Sequence, residues 1–226
     1  MGALSSFLDW IFPPTCAHCK AINPSYDIIC RECSMVLRQC EIPACELPGQ
    51  TRNGRPVIGK WYYRTGSPVR TCHRLLKFKG NERMGRWLGE SAVSVIKNHF
   101  NQRPFEGIIP IPSHRVKVLE RGLLPSLIIA EQIAVQLNIP VYPEVMIRTS
   151  LGPPQSALNR EERLINLAQA FSLKQSVTDK QFIVVDDVLT TGATLDAAAD
   201  LIEQNGGSVG LFALAFRRET FGSLLH

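Results

Sequence analysis

From Lys60 to the end of the chain, apolar and polar positions follow the two periods that distinguish helices from strands. Short apolar runs between turn residues predict strands, and apolar residues spaced three and four apart predict amphipathic helices. The predicted strands are Trp61–Arg64, Gly107–Pro112, Val141–Ile147, Phe182–Val185 and Ser208–Phe216, and the predicted helices are Ser67–Phe78, Met84–Phe100, Leu127–Leu137 and Leu195–Gln204. Strands that alternate with helices of this length favour a parallel sheet covered on both faces. The sequence therefore predicts an α/β fold with a mostly parallel sheet flanked by helices.

Residues 1–58 have a different composition, in which proline, cysteine and turn residues are frequent. Their apolar residues show too little periodicity to form a core of their own. The segment Gly49–Gly59, with Asn53-Gly54 and Pro56, is typical of a turn or connector. We therefore divide the chain into residues 1–58, a cysteine-rich finger and connector, and residues 59–226, the α/β domain.

The cysteines of the first part have the spacing of metal ligands. Cys16-x2-Cys19 and Cys30-x2-Cys33 are separated by ten residues, and two such pairs can close a tetrahedral site of four sulfurs. Structural zinc fits this ligand set, whereas four sulfurs leave no open position for catalysis. The alternative, reduced cysteines in a core, fits the turn-rich local composition poorly. His18 could replace one ligand, although its position between two cysteines favours a bystander.

A second group of candidate residues follows the strand Phe182–Val185. Asp186 and Asp187 come first, then a turn of small and hydroxylated residues, and then a helix. The turn residues are Thr190, Thr191, Gly192, Ala193 and Thr194. Such a turn offers backbone N–H groups to a phosphate at the positive end of the helix, while the acids suit sugar hydroxyls or the waters of a metal ion. This combination predicts a sugar-phosphate site, the alternative being a surface acid pair beside a threonine helix cap.

With these motifs and the segment Leu75–Gly80, the chain resembles the ComF family of bacterial competence-related proteins over nearly its full length. The resemblance is strongest at Cys16–Cys33, Lys77–Gly80, Ile109–Pro112, Gln155–Phe171 and Ile183–Thr194. That family joins a small zinc finger to a domain of the type I phosphoribosyltransferase kind and is linked to DNA uptake in natural transformation. The resemblance therefore implies that the ligand is phosphoribosyl diphosphate (PRPP) with Mg²⁺, and that zinc is structural.

The resemblance also implies a role for each part of the site. Asp186 and Asp187 would hold the ribose hydroxyls, and Thr190–Thr194 would hold the 5′-phosphate. The turn after Ile109–Pro112 would border the diphosphate. The segment Arg148–Arg163, together with Gln155 and Asn166, would correspond to the mobile loop and helix that cover the site.

Three basic residues after the proline-containing strand and three that flank the mobile loop could neutralise a departing diphosphate as the anomeric carbon becomes cationic. They are Arg115, Lys117, Arg121, Arg148, Arg160 and Arg163. We take Asp186, Asp187 and Arg160 as the candidate catalytic residues. The alternative for any single arginine is a solvated helix face. No general base for an acceptor can be identified, so whether the chain is an active phosphoribosyltransferase, a glycosyltransferase by reaction class, stays open at this point.

Two departures from the family pattern affect these expectations. Arg121-Gly122 is followed by Leu123-Leu124-Pro125, where the family commonly has Phe-Asn-Gln, so polar contacts of that Asn and Gln are in doubt. Family members often carry two further cysteine pairs, whereas here only Cys40 and Cys45 remain. A second zinc site is therefore expected to be degenerate or absent.

The formal net charge of +5 allows nucleic-acid binding without demanding it. Lys77 and Lys79 beside Phe78 could contact single-stranded DNA, or Phe78 could pack in the core. Besides a PRPP-binding protein of DNA uptake, two alternatives remain. One is a non-catalytic adaptor for DNA or for competence proteins such as a DNA-translocating helicase, and the other, less favoured, is a nucleotide-salvage enzyme.

We expect a cytoplasmic protein that can work at the inner face of the membrane. Paired cysteines without a secretory signal favour metal binding in a reducing compartment. No apolar run reaches the roughly 18–20 residues that cross a bilayer.

Overall fold

The computed structural model describes residues 13–25, 27–79, 81–100, 104–113, 124–149 and 170–217 of the 226-residue chain. The strands of its main sheet are β1 (Gly49–Gln50), β2 (Pro56–Tyr62), β3 (Gly107–Pro110), β6 (Gln181–Leu189) and β7 (Ser208–Phe216). Their order across the sheet is β1-β2-β7-β6-β3. Only β1 with β2 is antiparallel, and the other neighbours in this sheet are parallel. The predicted mostly parallel sheet is confirmed.

Helices cover both faces of this sheet. The helices are α1 (Arg31–Gln39), α2 (Pro68–Lys79), α3 (Glu82–Phe100), α4 (Pro125–Leu137) and α5 (Ala193–Gln204). Successive strand residues point to opposite faces. Ile183 and Val185 of β6 therefore pack with α3 and α4, whereas Phe182 and Val184 pack with α5. Among the described residues, no helix is both long enough and apolar enough to cross a membrane.

The finger shares its core with one face of the sheet. Its buried Cys16, Cys30 and Leu37 belong to the same hydrophobic cluster as Trp61 of β2. This agrees with the expectation that the segment cannot build a core alone. Helix α1 was not predicted, because only Cys33 and Leu37, one turn apart, are buried along its nine residues.

The predicted connector Gly49–Gly59 is wrong at both ends, because its first and last residues belong to the β1–β2 hairpin. Only residues 51–55 form the turn between the two strands. Strand β2 starts at Pro56 rather than Trp61, and its Val57 and Ile58 are both buried. Gly59 and Lys60 interrupt the apolar run after Val57 and Ile58, which hides the first part of the strand from pattern analysis. Residue 58, where we divide the chain, lies inside β2, and this division stays a prediction.

The predicted strand Val141–Ile147 is also wrong as a single element. Val141 forms one parallel bridge with Ile108, and a turn follows at residues 143–145. Strand β4 (Met146–Arg148) then pairs antiparallel with β5 (Phe171–Leu173) in a separate two-stranded sheet. Pro143 interrupts the ladder because proline has no N–H to donate. Residues 150–169, which include most of the loop and helix expected to cover the site, lie outside the described residues.

The β1–β2 turn is fastened to the first two turns of α5. The Thr51 hydroxyl donates to the Asp196 carboxylate at 2.5 Å, and the Asn53 N–H donates to the same carboxylate at 3.1 Å. Arg55 forms ion pairs with Asp196 at 3.3 Å and with Asp200 at 2.5 Å. Asp196 is only 4% exposed, so these donors satisfy a carboxylate that would otherwise be costly to bury. The turn is thereby held against the start of α5.

Gly192 lies where this turn meets α5, which predicts a large cost for a side chain there. Its φ is +77°, and a Cβ at this position would lie 2.6 Å from the Thr51 Cα. Gly54 has a φ of +78° but no atom within 4 Å of such a Cβ. A substitution at Gly54 therefore measures the cost of the backbone conformation without a steric clash. We expect Gly54→Ala to lower the free energy of unfolding by about 1–2 kcal/mol, and Gly192→Ala by roughly 1–3 kcal/mol more because of the clash. Denaturant titration of the zinc-loaded protein measures both, and equal losses would contradict this packing.

Candidate functional site

The site lies where β6 extends beyond its neighbour β3. β6 pairs with β7 as far as Leu189 but with β3 only as far as Val185, whose carbonyl accepts the Ile111 N–H at 2.9 Å. The predicted end of this strand at Val185 is therefore four residues early, and Asp186 and Asp187 lie inside the strand rather than after it. Beyond β3, the edge of β6 faces a crevice at the carboxyl end of the sheet, the usual place for ligands in such folds.

A cavity of about 210 Å³ occupies this crevice. Its surface is mostly polar and combines two carboxylates with two cations, and apolar side chains contribute a smaller part. Its lining residues are Lys77, Ile111, Pro112, Ser113, Leu124, Pro125, Ser126, Arg148, Asp186, Asp187, Val188 and Thr194. The structure thus brings together the acid pair, the end of the proline-containing strand and the start of α5.

Asp187 is held by α2. The Nε2 of His73 lies 2.8 Å from the Asp187 Oδ2, and the Lys77 Nζ lies 3.9 Å from the same oxygen. Burial alone would raise the pKa of Asp187, but the hydrogen bond and charge of His73, with Lys77, outweigh it and hold the pKa below its ordinary value. Asp187 is therefore the ionised member of the pair.

Asp186 behaves in the opposite way. Burial, followed by the neighbouring charge of Asp187, raises the pKa of Asp186 well above its ordinary value, although the Asp187 N–H donates to its Oδ1 at 2.8 Å. Asp186 thus takes up a proton more readily than Asp187. The pair can offer an ionised acceptor beside a group that is able to hold a proton.

The turn after β6 ends at the N-terminus of α5. Gly192 is the residue before the helix, Thr190 and Thr191 are exposed, and the Ala193 N–H points to the Thr191 hydroxyl at 3.4 Å. The first N–H groups of a helix have no partners inside it and carry a partial positive charge. The arrangement therefore places partial positive charge and N–H donors next to Thr194, which lines the cavity, and such a helix start has the chemistry to accept an anion.

The cations of the site come from outside β6. Arg148, at the end of β4, lines the cavity, and its guanidinium lies 5.5 Å from the centre of the Phe171 ring. Burial lowers the pKa of Arg148, while the charge of Asp186 acts in the opposite direction. The Arg148 Nε is buried and has no hydrogen-bond partner in the described part of the chain. Lys77 supplies the second cation.

Several predicted residues fall outside the described part of the chain. They are Arg115, Lys117, Arg121, Gln155, Arg160, Arg163 and Asn166. The candidate catalytic Arg160 is among them, so its place relative to the acid pair stays a prediction.

Sequence reasoning missed His73 and Tyr63. His73 is 5% exposed, and its Nδ1 lies 3.3 Å from the Tyr63 hydroxyl, whose ring meets the imidazole edge to face. The available signal was the spacing of His73 and Lys77, because residues four apart share one face of a helix. Lys77 was instead assigned to a surface for DNA.

The four cysteines of the finger form one cluster. The sulfur atoms of Cys16, Cys19, Cys30 and Cys33 all lie within 4.8 Å of one another, and those of Cys19 and Cys30 are 3.7 Å apart. Tetrahedral Zn²⁺ with Zn–S bonds of about 2.3 Å needs sulfurs about 3.8 Å apart, so the cluster fits this ion. Structural zinc is therefore the metal that these residues would hold.

Backbone N–H groups stabilise the thiolate form of one cysteine in this cluster. The N–H groups of His18 and Cys30 lie 3.4 and 3.3 Å from the Cys16 sulfur. Burial would raise the pKa of Cys16, but these N–H groups outweigh it and lower the pKa to about 6. Burial raises the pKa of Cys33. Zinc must therefore displace a proton from Cys33 more than from Cys16.

The other candidate ligands of the finger lie outside the cluster. The His18 ring is bound to the Thr71 hydroxyl of α2 at 2.8 Å, which agrees with its assignment as a bystander. Cys40 is buried and Cys45 is exposed, and neither joins a group of metal ligands in the described residues.

Comparisons with known proteins match two stretches of the chain. Residues 118–222 match the phosphoribosyl transferase domain, and residues 7–74 match the double zinc ribbon domain. The chain is 32% identical to Competence protein F of Haemophilus influenzae over 104 residues, which cover 45% of each protein. It is 30% identical to the DNA utilization protein YhgH of Escherichia coli K12 over 101 residues, 45% of this chain and 44% of that protein. The chain thus matches less than half the length of these curated relatives.

A solved structure of Trypanosoma cruzi hypoxanthine phosphoribosyl transferase is also similar. It has a TM-score of 0.42 and 15% sequence identity, and the match covers 62% of this chain and 68% of that one.

Two exposed cysteines provide a matched test of the metal centre. Cys19 belongs to the cluster and Cys45 does not. We expect Cys19→Ser to lose zinc and Cys45→Ser to keep one ion per chain, as measured by metal analysis.

Because structural zinc contributes on the order of 10–16 kcal/mol, a chelator should unfold residues 10–40 and leave the sheet folded. Unchanged amide-exchange protection in that segment after chelation would rule this out.

Proposed function

Because the chain belongs to the ComF family of competence-related proteins, we propose that its crevice binds PRPP together with Mg²⁺ and that the protein acts in DNA uptake during natural transformation. The observation that carries the proposal is a cavity lined both by the acid pair and by Thr194, the second residue of α5, which follows the turn from Thr190 to Ala193. A bare phosphate would be repelled by the acids, whereas a sugar phosphate uses both features.

Each part of the cavity suits one part of PRPP. Asp186 and Asp187 accept hydrogen bonds from the ribose hydroxyls, and the turn from Thr190 to Thr194 binds the 5′-phosphate. Ser113, after the proline-containing strand, borders the diphosphate. Magnesium would be held through its waters by the acids and would supply charge to the diphosphate.

The cations of the crevice favour a departing diphosphate. Lys77 and Arg148 line the cavity, and Arg160 is the candidate from the segment that would cover it. In a transfer step these charges would neutralise the leaving group while the acids hold the ribose. Asp186, Asp187 and Arg160 are the residues to which we assign that step.

A reducing compartment suits the protein, because the zinc ligands must remain thiolates. We therefore propose that it works in the cytoplasm, and that a role in DNA uptake brings it to the inner face of the membrane. Other competence proteins, such as a DNA-translocating helicase, are its proposed partners.

One observation favours a second function, that of a non-catalytic adaptor. Phe78 is 62% exposed, so it does not pack in the core and can stack on a base. Its neighbour Lys77 instead lies in the crevice near Asp187. The two functions differ in the residues that they require, because PRPP binding needs the acid pair and an adaptor does not.

Calorimetric titration with PRPP and Mg²⁺ tests the binding site. We expect heat with the wild type and binding weakened about 100-fold or more by Asp186→Ala/Asp187→Ala, because hydrogen bonds to charged groups are lost. Glu90→Ala, an exposed carboxylate of α3, should bind like the wild type and serves as the control. No heat with the wild type would reject PRPP as the ligand.

A transformation assay separates the two functions. If the double substitution abolishes PRPP binding and DNA uptake together, PRPP binding is required for uptake. If uptake survives the double substitution, the adaptor function is the correct one.

A further inference from the structure

Helix α2 places a buried histidine against the acid pair. The His73 Nε2 lies 2.8 Å from the Asp187 Oδ2, and the ring is 5% exposed. On the other side of the ring, the Tyr63 hydroxyl lies 3.3 Å from Nδ1. Tyr63 therefore holds the ring in the orientation that presents Nε2 to the acid, and Nε2 donates both in the protonated ring and in the neutral ring that carries its proton there.

The contacts of Asp187 fix the direction of its carboxylate. Oδ2 is bound by His73, and Oδ1 accepts the Val188 N–H at 2.9 Å. A carboxylate held at both oxygens cannot rotate freely, and each oxygen keeps a lone pair for a ligand. Such an acceptor is already oriented before the ligand arrives, which lowers the entropic cost of binding.

Helix α2 itself is held from both sides. Thr71, two residues before His73, binds the His18 ring of the finger at 2.8 Å, while Cys72 and Leu76 are buried in the core. His73 and Lys77 occupy the face that reaches the crevice. The imidazole therefore sits on an element with little freedom to move away from Asp187.

We propose that His73 is a positioning residue of the ligand site, which orients the Asp187 carboxylate toward the ribose hydroxyls of the bound sugar phosphate through its Nε2 hydrogen bond. The inference rests on the proposed function, and it assigns the recognition of the ribose to a residue outside the acid-and-turn motif. His73 contacts the acid rather than the ligand. Its removal should therefore weaken binding without removing a ligand contact.

Two substitutions of similar polarity test this role. Gln at position 73 can place an amide N–H₂ where Nε2 lies, whereas Asn reaches only the position of Nδ1. We expect His73→Gln to bind PRPP with Mg²⁺ within about threefold of the wild type, and His73→Asn to bind about tenfold or more weakly, since a hydrogen bond to a charged group is lost. Calorimetry measures the affinity, and denaturant titration establishes that both variants fold.

The outcomes separate this inference from the proposed function. A wild type that gives no heat rejects PRPP binding, and with it this role of His73. If the wild type binds PRPP and the two variants bind as tightly as it does, or are weakened to the same extent, the proposed role of the Nε2 donor is wrong. The proposed PRPP binding is not affected by that result. Rescue by Gln but not Asn supports it, because a purely structural histidine would not distinguish the two.

A second measurement uses the unsubstituted protein. The His73 Nε2–H proton, buried and bound to Asp187, should give a resolved NMR signal that exchanges slowly with water. We expect this signal to shift when PRPP and Mg²⁺ are added, because the ribose shares the Asp187 carboxylate. Saturating binding in calorimetry with an unmoved signal would contradict the inference even if the variants failed to fold.

Discussion

The unequal pairing of β6 is the constraint on which the rest of the structure depends. β6 forms its ladder with β7 as far as Leu189 but loses β3 after Val185. The stretch of β6 after Val185, as far as Leu189, is therefore held by β7 on one side and is open to the crevice on the other. Asp186 and Asp187 occupy this stretch, so their carboxylates are built into the sheet rather than carried by a loop. A site on a strand is more precisely positioned than one on a loop, and the crevice inherits that rigidity.

Two further elements complete the crevice from distant parts of the sequence. The β1–β2 turn packs on Gly192 at the start of α5, and Asp196 fastens it there. Helix α2 brings His73 to Asp187 and binds His18 of the finger through Thr71. The finger is therefore joined to the sheet by a shared core and to the crevice by one helix. In this arrangement zinc orders a segment that touches the same helix as the acid pair.

The sequence pattern was sufficient for most of the fold because amphipathic helices and uninterrupted apolar runs carry a clear signal. Ser208–Phe216 was predicted with the bounds that the structure shows, and α2 to within one residue at each end. The first part of β2 escaped prediction because Gly59 and Lys60 interrupt its apolar run, and the end of β6 because acids rarely continue a strand. The acid pair and the turn could be identified from chemistry that is local in the sequence. His73 could not, since its partner Asp187 is 114 residues away and only the folded helix brings them together.

Amide hydrogen exchange, read residue by residue, tests most directly whether the end of β6 and its turn form the ligand site. The N–H groups of Thr191, Gly192 and Ala193 precede or begin α5 and have no partner inside that helix, so without a ligand they should exchange faster than the amides of β6. With PRPP and Mg²⁺ we expect these three amides to be slowed, together with those of Asp187 and Val188. Binding that leaves these five amides unchanged, or that slows only amides of the finger, would contradict the assignment of the crevice.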